Sequence, residues 1–199
     1  MKLNNIYCEK TYYHCMEVGE YAYQLGEKYL TSPEKVSIAG YLHDISAIYP
    51  NNQRISVAQK YGIELNEAEM AFPMIIHQKI SKSIAKMDFG IEDNEILSAI
   101  ECHTTLKKNY SDIDLVLFVA DKIKWDQEGK PPYLDGLLQA LNCSLENAAY
   151  FYIDYILKHD IKVVHPWLWD AYNQLNLIIK YLITIAVFSR VLLVRKGEK

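Results

Sequence analysis

Apolar residues recur along the chain at the three- and four-residue spacing that places them on one side of an α-helix. Between Tyr12 and Tyr29, for example, Val18, Ala22 and Leu25 fall on one such side. Alternation of apolar and polar residues, which would indicate a strand, occurs over no useful length of the sequence. The pattern therefore predicts an all-α fold, a single helical bundle of roughly eight to ten helices at ordinary helix lengths.

Helix boundaries are marked by capping residues, prolines and glycines. Ser32, Pro33 and Glu34 combine an N-cap residue, a proline at the first helical position and an acidic residue in the first turn. A helix should therefore run from about Pro33 to the His43-Asp44 pair. Other signals predict further boundaries: helix ends at Gly62 and Gly90, N-caps at Asp93 or Asn94 and at Ser111 or Asp112, a fresh helix start at Pro73, and a loop at residues 129–132.

The end of the chain raises a separate question, because the segment from Leu175 to Val194 is strongly apolar. Lys180 and Arg190 interrupt it, so its uninterrupted apolar part falls short of the roughly 20 residues that span a bilayer. We expect a buried or homodimer-forming helix here, with a membrane role as the weaker alternative. The pattern divides the chain into a main domain, residues 1–175, and an apolar C-terminal helix or tail, residues 176–199.

Composition limits the functions that such a bundle can carry. The 199 residues include 21 basic and 25 acidic side chains, for a formal net charge of -4. No run of Lys or Arg forms a stripe that would follow a nucleic-acid backbone, which argues against long DNA or RNA as a partner. A small phosphorylated ligand stays compatible with this balance, because a bound metal supplies positive charge.

The cysteines and the N-terminus indicate the compartment. Four cysteines include no C-x-x-C pair, and the N-terminal segment MKLNNIYCEKT has no apolar signal core. We therefore expect a cytoplasmic protein with reduced thiols, packed mostly as small buried hydrophobic side chains.

Side chains able to bind a metal are spread over different predicted helices. In chain order they are His14, His43, Asp44, His77, His103 and Asp121. On a helix the adjacent His43 and Asp44 point about 100° apart, so both reach one ion only if it lies at that helix end. With His14 and Asp121 they would supply two nitrogen and two oxygen ligands and leave positions open for water and substrate. Such a mixed set suits iron, manganese or another borderline divalent ion better than a closed structural zinc site.

Each of these residues also has an ordinary structural explanation. Asp121 follows an apolar run, where a carboxylate is costly unless it is bound to a metal or paired, for instance with Lys122, Lys124 or solvent. A lone helical histidine is more often a satisfied core or surface residue than a ligand. Motifs of other enzyme classes are absent: the sequence has no G-x-x-x-x-G-K-[ST], H-E-x-x-H, G-x-S-x-G or E-x-x-H.

Five pieces of the sequence, in one order and spacing, resemble the HD-domain phosphohydrolase superfamily and, within it, the YqeK-like branch. They are YYHCMEVGEYA, AGYLHDIS, IIHQKISKSIA, LSAIECHTT and LFVADKI, with HPWLWDAYNQL as a weaker sixth piece. Together they extend from Tyr12 to Leu175. The resemblance therefore implies that residues 1–175 form an HD-type phosphohydrolase domain.

The resemblance implies a metal-dependent hydrolase of a nucleotide phosphate ester or anhydride, with iron as the first candidate metal and manganese as the second. The branch is associated with symmetrical cleavage of diadenosine tetraphosphate. A metal-bound water would attack phosphorus, and a neighbouring histidine would protonate the leaving oxygen. The roles implied by the resemblance are metal binding for His14, His43, Asp44 and Asp121, catalysis for His77, His103 and Asp44, and substrate binding for Thr104, His77 and His103.

Two positions depart from the branch. A basic residue commonly stands three positions before the first histidine, and a lysine three after the HD aspartate, where this chain has Thr11 and Ala47. The loss of positive charge there leaves open a nucleotide-binding regulator with weak or no turnover. A third alternative is an interaction module whose C-terminal helix binds a partner or a membrane. Four lysines are candidates to replace the missing charge: Lys79, Lys82, Lys122 and Lys124.

Overall fold

A computed structural model describes the backbone of residues 5–125, 127–159 and 161–197, and the side chains of residues 9–125, 127–159, 161–182, 184 and 185. The described parts contain ten α-helices and no strand, which confirms the predicted all-α fold. The helices are α1 Asn5–Tyr29, α2 Pro33–Leu42, α3 Arg54–Lys60, α4 Glu67–Ala71, α5 His77–Met87, α6 Asn94–Cys102, α7 Asp112–Ile123, α8 Leu134–Leu141, α9 Leu145–Lys158 and α10 Pro166–Gly197. Three 3₁₀ turns join them at Ile45–Ile48, Asn51–Gln53 and Pro73–Ile76.

Side-chain caps begin α6 and α7, as the sequence predicts. The Ser111 hydroxyl accepts the backbone N–H of Asp114, and the Asp114 carboxylate accepts the backbone N–H of Ser111. At the start of α6, Asp93 accepts the backbone N–H groups of Glu95 and Ile96. These bonds satisfy donors that a helix leaves unpaired in its first turn, so they fix where each helix starts.

Two other boundary signals act through the backbone. Ser32 lies at the N-cap of α2 without a side-chain capping hydrogen bond, so the fixed φ of Pro33 is what favours the helix start there. Gly62 and Gly90 both have a φ of 67°, a left-handed conformation that glycine adopts without strain. They follow α3 and α5 and end both helices as predicted.

The central helix of the bundle is α7. It packs against α1, α6 and α9, and its residues from Ile113 to Ala120 are all buried. Each large apolar side chain buried in this way stabilises the fold by about 1.5–3 kcal/mol. Because three neighbouring helices hold α7, Asp121 near its end has a fixed place in the molecule.

The C-terminal segment forms a single long helix, α10. Its first turns pack on the bundle, where Ala171 and Leu175 are buried, whereas Leu177 and Tyr181 are largely exposed. No helix within the described part of the chain is long and apolar enough to cross a membrane. The predicted division at residue 175 falls inside this continuous helix and stays a prediction, as does a homodimer formed through it.

The cysteines bear out part of their prediction. Among the described side chains, Cys15, Cys102 and Cys143 are all free thiols. Cys15 and Cys102 are buried, as expected for small hydrophobic side chains. Cys143 is exposed, because it lies in the short connection between α8 and α9, so the predicted burial is wrong for this residue.

Candidate metal centre

A close crossing of α1 and α2 brings His14 and His43 together. At the crossing, a Cβ atom on Gly40 would lie 2.7 Å from the Cα atom of Gly19, much closer than two carbon atoms pack. Glycine at position 40 therefore allows the two backbones to touch. The Nε2 atoms of His14 and His43 lie 3.2 Å apart as a result.

Three of the histidines are held in one way. His43, His77 and His103 each lie at a helix boundary, and Nδ1 of each ring donates to the backbone carbonyl three residues earlier. These carbonyls belong to Gly40 (2.7 Å), Met74 (2.6 Å) and Ile100 (2.8 Å), in that order. A carbonyl oxygen only accepts hydrogen bonds, so Nδ1 carries the proton in all three rings. A neutral ring in this state presents the Nε2 lone pair, which is the form that binds a metal.

The first group of ligand atoms joins α1, α2 and α7. Asp121 Oδ1 lies 3.2 Å from His14 Nε2 and 3.4 Å from His43 Nε2. The three ligand atoms are all within 4.8 Å of one another, a spacing at which one ion can contact all of them. All three side chains are buried or nearly so.

Asp44 connects this group to the other two histidines. Its Oδ2 lies 3.8 Å from His43 Nε2, while its Oδ1 lies 3.2 Å from His77 Nε2 and 3.4 Å from His103 Nε2. His43, Asp44 and His103 form a second group of ligand atoms within 4.8 Å of one another. The fold thus gathers in one place all six side chains that the sequence suggested as ligands or catalytic groups.

The electrostatic field in the centre favours positive charge. Burial raises the pKa values of Asp44 and Asp121, but the neighbouring histidines, together with Lys122 in the case of Asp121, hold both well below the usual range. Burial lowers the pKa of His43, yet the two carboxylates outweigh it and raise that pKa well above its usual value. Two ionised carboxylates in a buried site are costly unless a cation accompanies them.

His77 and His103 are neutral at pH 7. Burial is the largest influence on both, and it lowers the pKa of His77 to about 3 and that of His103 below its usual value. Their Nε2 atoms lie 3.0 Å apart, with lone pair facing lone pair. The Thr104 hydroxyl donates to His77 Nε2 over 2.9 Å and satisfies one of the two. Imidazole nitrogens and carboxylate oxygens together fit iron, manganese or another borderline divalent metal.

Comparison with known proteins assigns this arrangement to a family. Residues 11–126, more than half of the chain, match the HD domain family. The chain belongs to the HD domain family. The matched segment of the HD domain contains all six side chains of the centre.

Proteins similar to this HD domain include hydrolases. A Lactococcus lactis subsp. cremoris protein described as "Uncharacterized protein in pepC 5'region" is 51% identical over 145 residues, 73% of this chain and 74% of that protein. A symmetrical bis(5'-nucleosyl)-tetraphosphatase of Staphylococcus aureus is 32% identical over 117 residues, 58% of this chain and 59% of that protein. A Clostridium acetobutylicum structure, described as a "predicted HD superfamily hydrolase involved in NAD metabolism", is 29% identical, with a TM-score of 0.77 over 84% of this chain and 89% of that one. By family and fold, this chain is an HD-domain hydrolase.

Asp121 forms a salt bridge with Lys122, which is the structural explanation that the sequence offered for this buried carboxylate. The salt bridge is compatible with a role for Asp121 in the HD centre. The Lys122 ammonium contacts Asp121 Oδ2, while Oδ1 faces the histidines. Lys122 is buried, and its Nζ lies 5.3 Å from the centre of the Phe118 ring and 5.6 Å from that of Tyr152. Its salt bridge therefore orients Asp121 with one oxygen directed into the centre.

Arg54, a half-buried residue at the start of α3, is near the HD centre and was not predicted from the sequence. Its guanidinium donates to the Met74 carbonyl over 2.7 Å, and the same carbonyl holds His77. The charge of Arg54 adds to burial in lowering the pKa of His77. Burial lowers the pKa of Arg54 itself, and the charge of Asp44 offsets part of that shift. Arg54 lies outside the sequence motifs. The 3₁₀ turns between Asp44 and α3 bring it near the centre, and the sequence alone does not reveal that path.

Proposed function

We propose that this HD-domain protein is a metal-dependent phosphohydrolase that cleaves a nucleotide phosphate ester or anhydride, with dinucleoside polyphosphates among its candidate substrates. One observation carries the proposal: three buried histidines use Nδ1 on backbone carbonyls, so their Nε2 atoms converge on two ionised carboxylates. This donor set fits a divalent cation. The Staphylococcus aureus relative supports nucleotide chemistry, because it is named as a symmetrical bis(5'-nucleosyl)-tetraphosphatase.

In this proposal His14, His43, Asp44 and Asp121 hold the metal, with iron as the first candidate and manganese as the second. The metal, when bound, lowers the pKa of a water ligand and polarises the phosphorus that this water attacks. The carbonyl contact of His43 and the lysine contact of Asp121 keep these ligands from turning. Ligands that are fixed beforehand need little reorganisation during the reaction.

We assign His77, His103 and Thr104 to the substrate side of the centre. Burial lowers the pKa of His77 to about 3, which favours the neutral form of its ring. A neutral Nε2 can accept a hydrogen bond from the attacking water in place of the one from the Thr104 hydroxyl. We propose this positioning role for His77 as an alternative to the proton donation implied by the resemblance. Binding of a second metal is the alternative, with Asp44 as the bridge, because its two oxygens face different histidines.

A second function, a nucleotide-binding regulator with weak or no turnover, is supported by the state of four lysines. They were candidates to replace the positive charge that is absent at Thr11 and Ala47. Each has a partner within the protein: Lys79 pairs with Glu69, Lys82 with Glu101 and Lys122 with Asp121, and Lys124 lies over the Tyr21 ring. Arg54 and a bound metal are further candidates to hold a polyphosphate.

Metal content and product release separate the two functions. Elemental analysis of the purified protein should find iron or manganese, and the metal-loaded protein should cleave at least one of AMP, ADP, diadenosine tetraphosphate and NAD. NAD belongs to this panel because the Clostridium structure is described as involved in NAD metabolism. Nucleotide binding without turnover would favour the regulator. A protein that binds no divalent metal tightly, and that His43→Ala leaves unchanged, would contradict both functions.

Thr11 and Ala47 test the identity of the substrate. A charge-assisted contact to phosphate contributes about 1.5–3 kcal/mol to binding. The absence of two such contacts therefore weakens the binding of a highly charged dinucleotide by on the order of a hundred-fold or more. We expect the double variant Thr11→Arg, Ala47→Lys to raise kcat/KM for diadenosine tetraphosphate relative to nucleoside mono- and diphosphates. Rates are compared at fixed metal and salt. A strong dinucleotide preference in the unchanged protein, unaffected by the two added charges, would contradict this expectation.

A further inference from the structure

An apolar recess opens directly beside Asp44. Its volume is about 160 Å³, and its walls include Tyr12 of α1, Tyr41 of α2, and Ile45 and Ile48 of the 3₁₀ turn that follows Asp44. Because Asp44 itself lines the recess, the recess is continuous with the metal centre. A ligand held at the centre can therefore extend into it.

The charge of the recess excludes phosphate as its occupant. Its remaining lining residues are Thr11, Cys15 and Ala47, so among the side chains that the structure describes no lysine, arginine or histidine belongs to the lining. The one carboxylate is Asp44, which repels an anion. Thr11 and Ala47, the two positions that depart from the branch pattern, thus lie together in an apolar surface. An uncharged group fits this surface better than a phosphate does.

The two tyrosines that line the recess, Tyr12 and Tyr41, favour a flat aromatic group. Tyr41 lies close against α1 because Gly19 has no side chain: a Cβ atom there would be 2.3 Å from two atoms of the tyrosine ring. Tyr12 is 59% exposed and Ile48 is 41% exposed, so apolar groups also form the open rim. Exposed apolar side chains around a concave surface are typical of ligand sites. Aromatic side chains in such a position bind nucleobases by stacking.

We propose that the recess binds the nucleobase of a substrate whose phosphate lies at the metal centre, an inference that rests on the proposed function. Pockets that enclose a whole drug-sized ligand have volumes of roughly 300–1,000 Å³, so a recess of about 160 Å³ accepts one part of a nucleotide. The base is the flat and uncharged part. The sugar then spans from the recess to Asp44, and the phosphates remain outside the apolar surface.

Binding of two matched phosphonates to the manganese-loaded full-length chain tests this proposal. α,β-Methylene-ADP carries a base, and methylenediphosphonate has the same bridged phosphorus atoms without one. Calorimetry should give an affinity at least ten-fold higher for the base-bearing compound. Tyr12→Ala should lower the affinity for α,β-methylene-ADP by about ten-fold, as expected for the loss of a base–aromatic contact. The same variant should leave the affinity for methylenediphosphonate unchanged. Ala47→Phe, which fills the recess, should have the same selective effect.

Tyr181→Ala is the control. Tyr181 of α10 is 68% exposed against 59% for Tyr12, and it does not line the recess, so its loss should leave both affinities unchanged. Equal affinity of the two compounds for the unchanged protein would overturn the inference, as would equal weakening of both by Tyr12→Ala. Cleavage of base-free phosphates as readily as nucleotides would refute nucleobase binding in the recess and leave the proposed hydrolase activity standing. Base-dependent binding without any turnover would refute the proposed hydrolase activity and support nucleobase binding in the recess.

Discussion

Two buried clusters in this protein contain the same kinds of side chain and differ in how their charges are satisfied. One is the metal centre at the end of α7. The other, which we call the α4–α10 clasp, consists of Asn66, Glu69, Lys79 and His165. In the clasp, Glu69 accepts hydrogen bonds from three donors: Lys79 Nζ (2.9 Å), His165 Nε2 (3.3 Å) and the backbone N–H of Asn66 (2.9 Å).

The two clusters differ in the partner of each histidine's Nδ1 atom. In the clasp, the backbone N–H of Trp167 donates to His165 Nδ1 over 3.1 Å, which places the ring proton on Nε2, and Nε2 lies 3.3 Å from Glu69 Oε1 and 2.9 Å from Asn66 Nδ2. In the candidate metal centre, a carbonyl accepts from His43 Nδ1, so Nε2 is the ring atom that faces the carboxylates, and their charge favours a cation there, either a second ring proton or a metal ion. The clasp needs nothing but protein groups, whereas the centre fits a cation. A histidine, a carboxylate and a lysine in contact therefore do not by themselves indicate a metal site.

The largest difference between the clusters is expected from removing one histidine in each. His43→Ala should abolish tight metal binding and lower turnover by more than about 100-fold, beyond the usual effect of losing an outer contact to a ligand. His165→Ala should keep the metal and the turnover, and lower the free energy of unfolding by about 1–3 kcal/mol, because Glu69 loses a donor. Elemental analysis, steady-state kinetics and urea unfolding measure the three quantities. Loss of metal from His165→Ala would contradict the distinction drawn between the clusters.

The residues of the candidate metal centre could be predicted from the sequence more completely than those of the clasp, for a physical reason. His43 and Asp44 are adjacent, and the other ligands lie in short segments whose order is recognisable. His165 lies 96 residues from Glu69, and nothing in the order of residues pairs them. The helices themselves were predictable, because capping residues, glycines and apolar spacing are local signals.

Other features of the centre depend on distant packing and could not be predicted from local signals. The approach of Gly40 to Gly19 sets the distance between two ligands, yet neither glycine lies in a turn. The recess beside Asp44 exists only because two segments that are distant in the sequence, residues 11–15 and 41–48, meet there. Arg54 likewise reaches the centre through the turns that precede α3. Such contacts arise from tertiary structure, which a single sequence does not reveal by periodicity.

A smaller effect is expected within the centre, where His77 differs in role from His43. His77→Ala should lower turnover by about a hundred-fold, in the range typical of a group that acts on the reacting water, while a large share of the metal stays bound. Metal-to-protein ratio and kcat are measured on the same preparation, with His43→Ala as the metal-free reference. Equal metal loss in the two variants would instead indicate two metals bridged by Asp44.

The smallest effect concerns the charge of the clasp and its dependence on pH. Burial raises the pKa of Glu69, but hydrogen bonds from His165, Asn66 and Lys79 outweigh it and hold the pKa below its ordinary value of 4.5. A depressed pKa stabilises the folded state above pH 4.5, and this contribution is lost as pH falls through the folded-state pKa. Glu69→Gln should therefore lower the free energy of unfolding by about 2 kcal/mol at pH 7.

The difference in the free energy of unfolding between the unchanged protein and Glu69→Gln is informative. Both proteins contain the same candidate metal centre, so the effects of acid on that centre cancel in the difference. We expect a constant difference from pH 7 to pH 5 and a shrinking one below pH 4.5, measured by urea unfolding at each pH. Glu67→Gln, an exposed change on the same helix, should stay within about 0.5 kcal/mol of the unchanged protein. A difference that grows as pH falls would mean that Glu69 is neutral in the folded protein. The protein groups of the clasp would then fail to stabilise an ionised carboxylate, and the contrast between the two clusters would be lost.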